Sequence, residues 1–91
     1  MLAEVKTALR ITHDALDDEI ADVIEEARQD LILAGVSHVR AIDDQDTLIK
    51  RAVKTYAKAQ LTADNVTADR FQRSYDLLKQ HLTLAGDYTD E

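Results

Sequence analysis

The first feature of this sequence that could support chemistry is a concentration of carboxylates in residues 14–30. Eight acids stand there against a single base, Arg28; they are Asp14, Asp17, Asp18, Glu19, Asp22, Glu25, Glu26 and Asp30. Carboxylates that converge from two helices can bind Mg²⁺, because this hard cation prefers several oxygen ligands. Such a site would suit a small all-α, metal-dependent nucleotide pyrophosphohydrolase.

The segment that would have to supply the second set of acids carries bases instead. Residues 47–63 contain no acid and four bases, which are Lys50, Arg51, Lys54 and Lys58. Gln29 also stands where a further acid would help the first set. We therefore interpret the carboxylates as a solvated face, as most charge runs are, and keep the hydrolase as an alternative.

Other catalytic and metal-binding patterns are missing from the sequence. His13, His38 and His81 are far apart and form no HExxH motif. There is no cysteine, which excludes disulfides and thiolate metal sites. We expect no catalytic residue, no metal site and no cofactor, and therefore no enzyme.

The composition is that of a small globular α-helical domain. Of the 91 residues, 45% are apolar and 32% are charged, and there are two glycines and no proline. A β-protein needs many turns, which use these two residues heavily. A net charge of −7 argues against autonomous binding to nucleic acid, because neutralising phosphates requires lysine and arginine. We expect a soluble protein without signal peptide or membrane span.

The apolar spacing predicts one all-α domain of about four helices over residues 1–85, with the third helix central. The predicted helices cover residues 2–10, 13–34, 47–63 and 68–84. Thr12 or Asp14 is the candidate N-cap of the second helix, and Asp44 or Asp46 that of the third. The predicted core consists of Leu9, Leu16, Ile20, Val23, Ile24, Ala27, Leu31, Leu48, Ala52, Tyr56, Phe71, Tyr75, Leu78 and Leu82.

The chain turns between the third and fourth helices at DNVT, residues 64–67. Asn65 suits a left-handed C-cap, and Thr67 suits the next N-cap. Residues 86–91, GDYTDE, contain three acids and one aromatic residue, Tyr88. We expect them to form a mobile acidic tail, because such a segment buries little apolar surface.

The fourth predicted helix has two apolar faces in the stretch RFQRSYDLLKQHL. The first face consists of Phe71, Tyr75, Leu78 and Leu82, within a wedge of roughly 60°. Leu77 and Leu84 form a second line roughly 120° away. We predict that this line and Tyr88 contact a neighbouring subunit or partner; burial within the monomer and chance exposure are the alternatives.

Charge segregation predicts a second pair of contact surfaces. The acidic candidates on the second helix are Asp18, Asp22, Glu25 and Glu26, and the basic candidates are Lys50, Arg51, Lys54 and Lys58. Complementary faces on different helices suit a closed ring, in which one face of a subunit meets a different face of its neighbour. Pairing of the two helices within one chain, or exposure of both to water, is the alternative.

Three stretches of the sequence carry a family resemblance. They are LRITHDALDDEIADVIEEARQDLILAGV, LIKRAVKTYAKAQL and ADRFQRSYDLLKQHLTLAGDY, which together cover most of the chain. In this order and spacing, the chain resembles the head–tail connector proteins of long-tailed bacteriophages, also described as head-completion or DNA-packaging adaptors. The resemblance includes no catalytic motif and no individual site residue.

The resemblance implies a structural subunit of the virion at the head–tail junction, assembled in the host cytoplasm. It implies a ring that matches the twelve-fold portal, docks under the portal protein, extends the DNA channel and receives a later head-completion or tail protein. DNA would pass through without sequence-specific binding, and no membrane is involved. Besides the hydrolase, a dimeric regulatory or antitoxin-like protein remains an alternative.

Overall fold

The computed structural model describes residues 1–90, which contain six α-helices and no strand. They are α1 (Leu2–Ala8), α2 (Asp17–Ala34), α3 (His38–Ala41), α4 (Thr47–Leu61), α5 (Asn65–Leu84) and α6 (Gly86–Thr89). The all-α prediction is confirmed. The four longer helices correspond to the four predicted ones, while α3 and α6 are short additions of one turn each.

The first turn between helices differs from the sequence prediction. Neither Thr12 nor Asp14 caps α2, which begins later, at Asp17. Arg10, which follows the end of α1, adopts a left-handed conformation with φ of 59°. Lys6 then holds the carboxylates of Asp14 and Asp17 at 2.9 and 2.8 Å. Residues 12–16 thus precede α2 as a non-helical connection, and Asp14 pairs with Lys6 instead of capping the helix.

The other helix ends follow capping chemistry. Gly35 ends α2 with φ of 119°, as predicted, because glycine adopts this conformation without a steric cost. Asp46, one of the two predicted caps, accepts hydrogen bonds from the backbone of Leu48 and Ile49. The prediction for DNVT was wrong in detail: Asp64 is the N-cap of α5 and accepts from the backbone of Thr67. Because Asp64 is the N-cap, Asn65 is the first residue of α5 and not a C-cap of the preceding helix.

The core forms where α2, α4 and α5 meet under α1. Helix α4 packs against α1, α2 and α5, whereas α2 and α5 touch each other little, so α4 is central as predicted. The buried apolar residues are Val5, Ile20, Val23, Ile24, Ala27, Leu31, Val36, Ala41, Ile49, Ala52, Val53, Ala57, Tyr75 and Leu82. Alanine at four of these sites lets the helices approach closely.

Two predicted core residues are exposed, which is a correction to the sequence analysis. Leu16 precedes the first residue of α2 in a non-helical conformation, so it lies off the buried stripe of that helix. Leu48 lies one residue, or about 100°, from the stripe that begins at Ile49 and continues through Val53. Four further predicted core residues are partly buried; they are Leu9, Tyr56, Phe71 and Leu78.

The chain beyond α5 returns to the body of the molecule. The backbone N–H of Ser37 donates to the carbonyl of Tyr88 at 2.7 Å, and Arg40 Nε donates to the carbonyl of Asp87 at 2.9 Å. Residues 86–90 of the predicted mobile tail thus have defined contacts with α3, while Glu91 lies outside the described residues. The mobility of the tail and its boundary at residue 86 stay predictions.

None of the described helices is long and apolar enough to cross a membrane.

Candidate subunit interface

A basic groove runs between α4 and α5. Its α4 wall carries all four predicted bases, Lys50, Arg51, Lys54 and Lys58, together with Thr47 and Thr55. Its α5 wall is mainly apolar and includes Phe71, Leu77 and Leu78. The groove has a volume of about 660 Å³. The structure therefore brings the predicted basic residues together with Leu77 on one surface.

The bases of this groove have no acidic partner within the described chain. None of the four forms an ion pair with a carboxylate of residues 1–90. Lys58 places its ammonium 5.4 Å from the centre of the Phe71 ring, a cation–π contact. Lys50 contributes to the lowered pKa of Glu4, although the N-terminal ammonium is the main cause. The groove thus presents positive charge to solvent.

The predicted acidic residues lie along the exposed side of α2. Asp18 and Asp22 have no ion pair or hydrogen-bonding side-chain partner in residues 1–90. Glu25 pairs with Arg28 at 3.3 Å on the same helix, and Glu26 accepts a long 3.5 Å hydrogen bond from Tyr56. All four carboxylates are exposed. They form a negative surface that no base of α4 neutralises.

The two charged surfaces point away from each other. Helices α2 and α4 pack through their buried residues, such as Ile24 on α2 and Val53 on α4. At 100° per residue, the acids lie roughly opposite the buried side of α2. On α4, Arg51 and Lys58 lie roughly opposite the buried side, whereas Lys54 and Lys50 lie about 120° and 85° from it. The acids and the bases therefore do not pair within one chain. One molecule presents complementary charge on two different sides.

Leu77 and Leu84, the second apolar line of α5, remain on the surface. Their side chains are 58% and 78% exposed, respectively. Leu77 lines the basic groove, whereas Leu84 lies at the last residue of the helix. The alternative that these two leucines are buried within the monomer is therefore wrong for the described chain.

Tyr88, the third residue grouped with this line, packs on its own chain. Its hydroxyl donates to Asp46 at 3.0 Å, and Arg40 stacks on its ring at 5.5 Å. Partial burial, followed by the carboxylate of Asp46, raises the pKa of Tyr88. Since Asp46 is also the N-cap of α4, Tyr88 ties the C-terminal segment to the start of the central helix.

A small apolar pocket adjoins the basic groove at this end of α4. Leu48, Leu78, Leu82, Ala85 and Tyr88 line it, and its volume is about 210 Å³. His81 and Leu78 line both the pocket and the groove, so the two form one continuous surface. The sequence alone did not indicate this pocket, because the apolar spacing placed Leu48 in the core and the composition of residues 86–91 placed Tyr88 in a mobile tail.

One carboxylate of the acidic run has an internal structural role. Asp30 accepts hydrogen bonds from the hydroxyl of Tyr75 at 2.6 Å and from Lys79 at 3.0 Å. Burial works to raise the pKa of Asp30, but these two hydrogen bonds outweigh it and the pKa is lowered. Burial and the carboxylate raise the pKa of Tyr75. Asp30 thus ties α2 to α5.

The described residues contain no group of three histidine, cysteine, aspartate or glutamate side chains placed to hold a metal ion. The acids of α2 are spread along one outer stripe, and the helix against which α2 packs presents bases on its own outer side. The arrangement is suited to contact with another charged surface.

The fold and these surfaces define a small helical protein with separate, oppositely charged faces. Comparison with known families agrees: the model of the phage connector protein family matches residues 1–89. The chain belongs to this family and has a structural connector role. Comparisons with curated proteins and with solved structures gave no match. The predicted resemblance to phage connectors is confirmed.

Proposed function

We propose that this connector protein is the subunit of an oligomeric ring at the head–tail junction of a phage particle. The ring docks under the portal protein, extends the DNA channel and receives later head-completion or tail proteins. Subunits assemble in the host cytoplasm and remain in the virion. Membership in the phage connector family supports the connector role, and the surfaces of the molecule support the ring.

One observation carries the ring: complementary charge lies on two different sides of one chain. A ring needs heterologous contacts, in which each subunit offers one face to the neighbour before it and another to the neighbour after it. The acids of α2 and the bases of α4 meet this requirement: the acids are exposed, the bases line an open groove, and the two sets do not pair within the described chain. Complementary charge also sets the orientation of the partners.

The remaining surface is available to the portal and to later components. Leu84 is 78% exposed at the end of α5, outside the basic groove. We assign it to contact with the portal or a downstream protein, because it lies at the end of α5 where the described chain leaves it uncovered. The net charge of −7 favours free passage of DNA, since a strongly basic lumen would retain phosphates.

Electron microscopy of the purified chain, with and without portal protein, tests the ring. We expect closed rings at low salt, alone or on the portal, and we expect the twelve-fold symmetry of the portal to set their size. Screening over roughly 8–10 Å at physiological ionic strength should weaken the rings as salt rises. A chain that stays monomeric at low salt and does not bind portal would contradict the proposal.

A pair of charge reversals identifies the surface involved. The double variant Lys50→Glu, Lys54→Glu should stay helical and lose assembly, because like charges would then face each other. The matched control is Arg70→Glu, Arg73→Glu, which reverses two exposed bases of α5 outside the groove. Equal loss of assembly in both variants would show that total charge, and not the groove, controls association.

A further inference from the structure

We propose a specific contact for the ring: α2 of one subunit lies antiparallel in the α4–α5 groove of the next, with Leu33 seated in the apolar pocket beside Leu48. This inference rests on the proposed function and adds a register to it. The occupant of the groove is therefore a second copy of this chain.

The exposed stripe of α2 extends beyond its acidic residues toward the C-terminus of the helix. At 100° per residue, Asp22, Glu25, Glu26, Gln29 and Leu33 fall within about 100° of one another. Leu33 is 85% exposed, the largest fraction among the exposed large apolar residues of the described chain. From Asp22 to Leu33 the stripe thus changes from acidic to apolar, and it ends near the C-terminus of the helix.

The groove has the same order of chemistry in the opposite chain direction. Its apolar pocket, with Leu48 and Tyr88, lies at the N-terminal end of α4. Its bases follow toward the C-terminal end, from Arg51 through Lys54 to Lys58. An antiparallel α2 therefore places its leucine at the pocket and its acids at the bases.

The spacing fixes the pairs. On α2, Gln29, Glu26 and Asp22 follow in steps of three and four residues; on α4, Arg51, Lys54 and Lys58 follow in the same steps. In antiparallel register, Gln29 faces Arg51, Glu26 faces Lys54, and Asp22 faces Lys58. One more step of four brings Leu33 level with Thr47, next to Leu48.

The same register fits both the charges and the apolar anchor, and this favours a second copy over an unrelated partner. A rise of about 1.5 Å per residue separates Leu33 from Glu26 by about 10.5 Å along α2. The same rise separates Leu48 from Lys54 by about 9 Å along α4. The two surfaces also lie on different sides of the molecule, so each copy can offer its stripe and its groove at once.

A charge exchange tests the register directly. Lys54→Glu alone and Glu26→Lys alone should each lower the association constant about tenfold, because each places like charges together. The double variant Lys54→Glu, Glu26→Lys should recover most of that loss. The control is Lys54→Glu, Asp69→Lys, which has the same net charge but changes an exposed acid of α5 outside the stripe. Sedimentation velocity at low salt measures each constant.

The anchor has its own test. Leu33→Ala should lower the association constant about tenfold, since an apolar side chain in a desolvated pocket contributes strongly to binding. Val66→Ala is the matched control, because Val66 is a similarly exposed apolar residue of α5 that lines neither groove nor pocket. Circular dichroism should show unchanged helix content in all variants.

The outcomes separate this inference from the proposed function. Recovery in the exchanged pair but not in the control, with loss on Leu33→Ala, supports the register. Assembly without such recovery, or assembly indifferent to Leu33→Ala, overturns the register while the ring stands. A wild-type chain that stays monomeric at millimolar concentration and low salt, and does not bind portal protein, overturns both.

Discussion

Helices α4 and α5 form the two walls of the groove, yet they relate to the core differently. Helix α4 has 15 residues and buries Ile49, Ala52, Val53 and Ala57. Helix α5 has 20 residues, and its buried residues are Tyr75 and Leu82. The longer helix thus contributes less to the core. The length of a helix in this molecule therefore does not indicate how many residues it buries. Most residues of α5 keep some exposed surface for other contacts.

The two helices also differ in how they use polar side chains. On α4, the bases line the groove without ion pairs to the described acids, while the buried side is wholly apolar. On α5, Tyr75 and Lys79 bind Asp30 of α2, so polar side chains help to hold the helix in place. We infer that α4 is held by apolar packing and α5 partly by hydrogen bonds.

The largest effect is expected in the apolar side of α4. Ile49→Ala should lower the free energy of unfolding by about 2–5 kcal/mol, because it removes a fully buried side chain and leaves a cavity. Leu48→Ala, at the exposed neighbouring position, is the control. Urea unfolding followed by circular dichroism measures both. Similar losses at the two sites would mean that the buried face of α4 is wrongly assigned.

A smaller effect is expected at the segment that follows α5. Deleting residues 86–91 should lower the free energy of unfolding by about 1–2 kcal/mol, because the half-buried Tyr88 and its hydrogen bond to Asp46 are lost. Replacing the three acids of this segment with serine should have little effect. An unchanged unfolding midpoint after the deletion would support the mobile tail that the sequence predicts.

The hydrogen bonds of α5 predict a modest dependence on pH. The pKa of Asp30 is lowered in the folded chain, so its contribution is complete above its ordinary value of 3.8. The contribution disappears as the pH falls from 3.8 through the lowered pKa. Asp30→Asn should therefore cost about 1 kcal/mol at pH 7 and less as the solution becomes acidic. A constant cost between pH 7 and pH 2 would contradict a charged Asp30 in the fold.

The smallest effect on stability is expected on the exposed line of α5. Leu77→Ala and Leu84→Ala should each change the free energy of unfolding by less than about 0.5 kcal/mol. Assembly should nevertheless weaken on Leu77→Ala, because Leu77 lines the groove. Thermal unfolding and sedimentation together make this distinction. Loss of stability without loss of assembly would assign Leu77 to the fold alone.

Much of the fold could be predicted because it depends on local patterns. Three- and four-residue spacing located the four longer helices, and Gly35 marked the end of α2, since few other residues adopt its left-handed conformation. The faces were less predictable. Leu48 and Ile49 are both apolar neighbours, and the choice between them depends on how α2 and α1 approach α4.

The sequence by itself determined the helical class, the central position of α4 and the separation of acids from bases, because periodicity and charge are properties of local sequence. Only the tertiary structure decided that Leu16 and Leu48 face solvent, that Asp30 joins α2 to α5, and that Tyr88 lies against Asp46. The hydrogen bonds of Asp30 with Tyr75 and of Tyr88 with Asp46 join residues more than forty positions apart. They depend on the packing angles between helices, which no single stretch of the sequence determines.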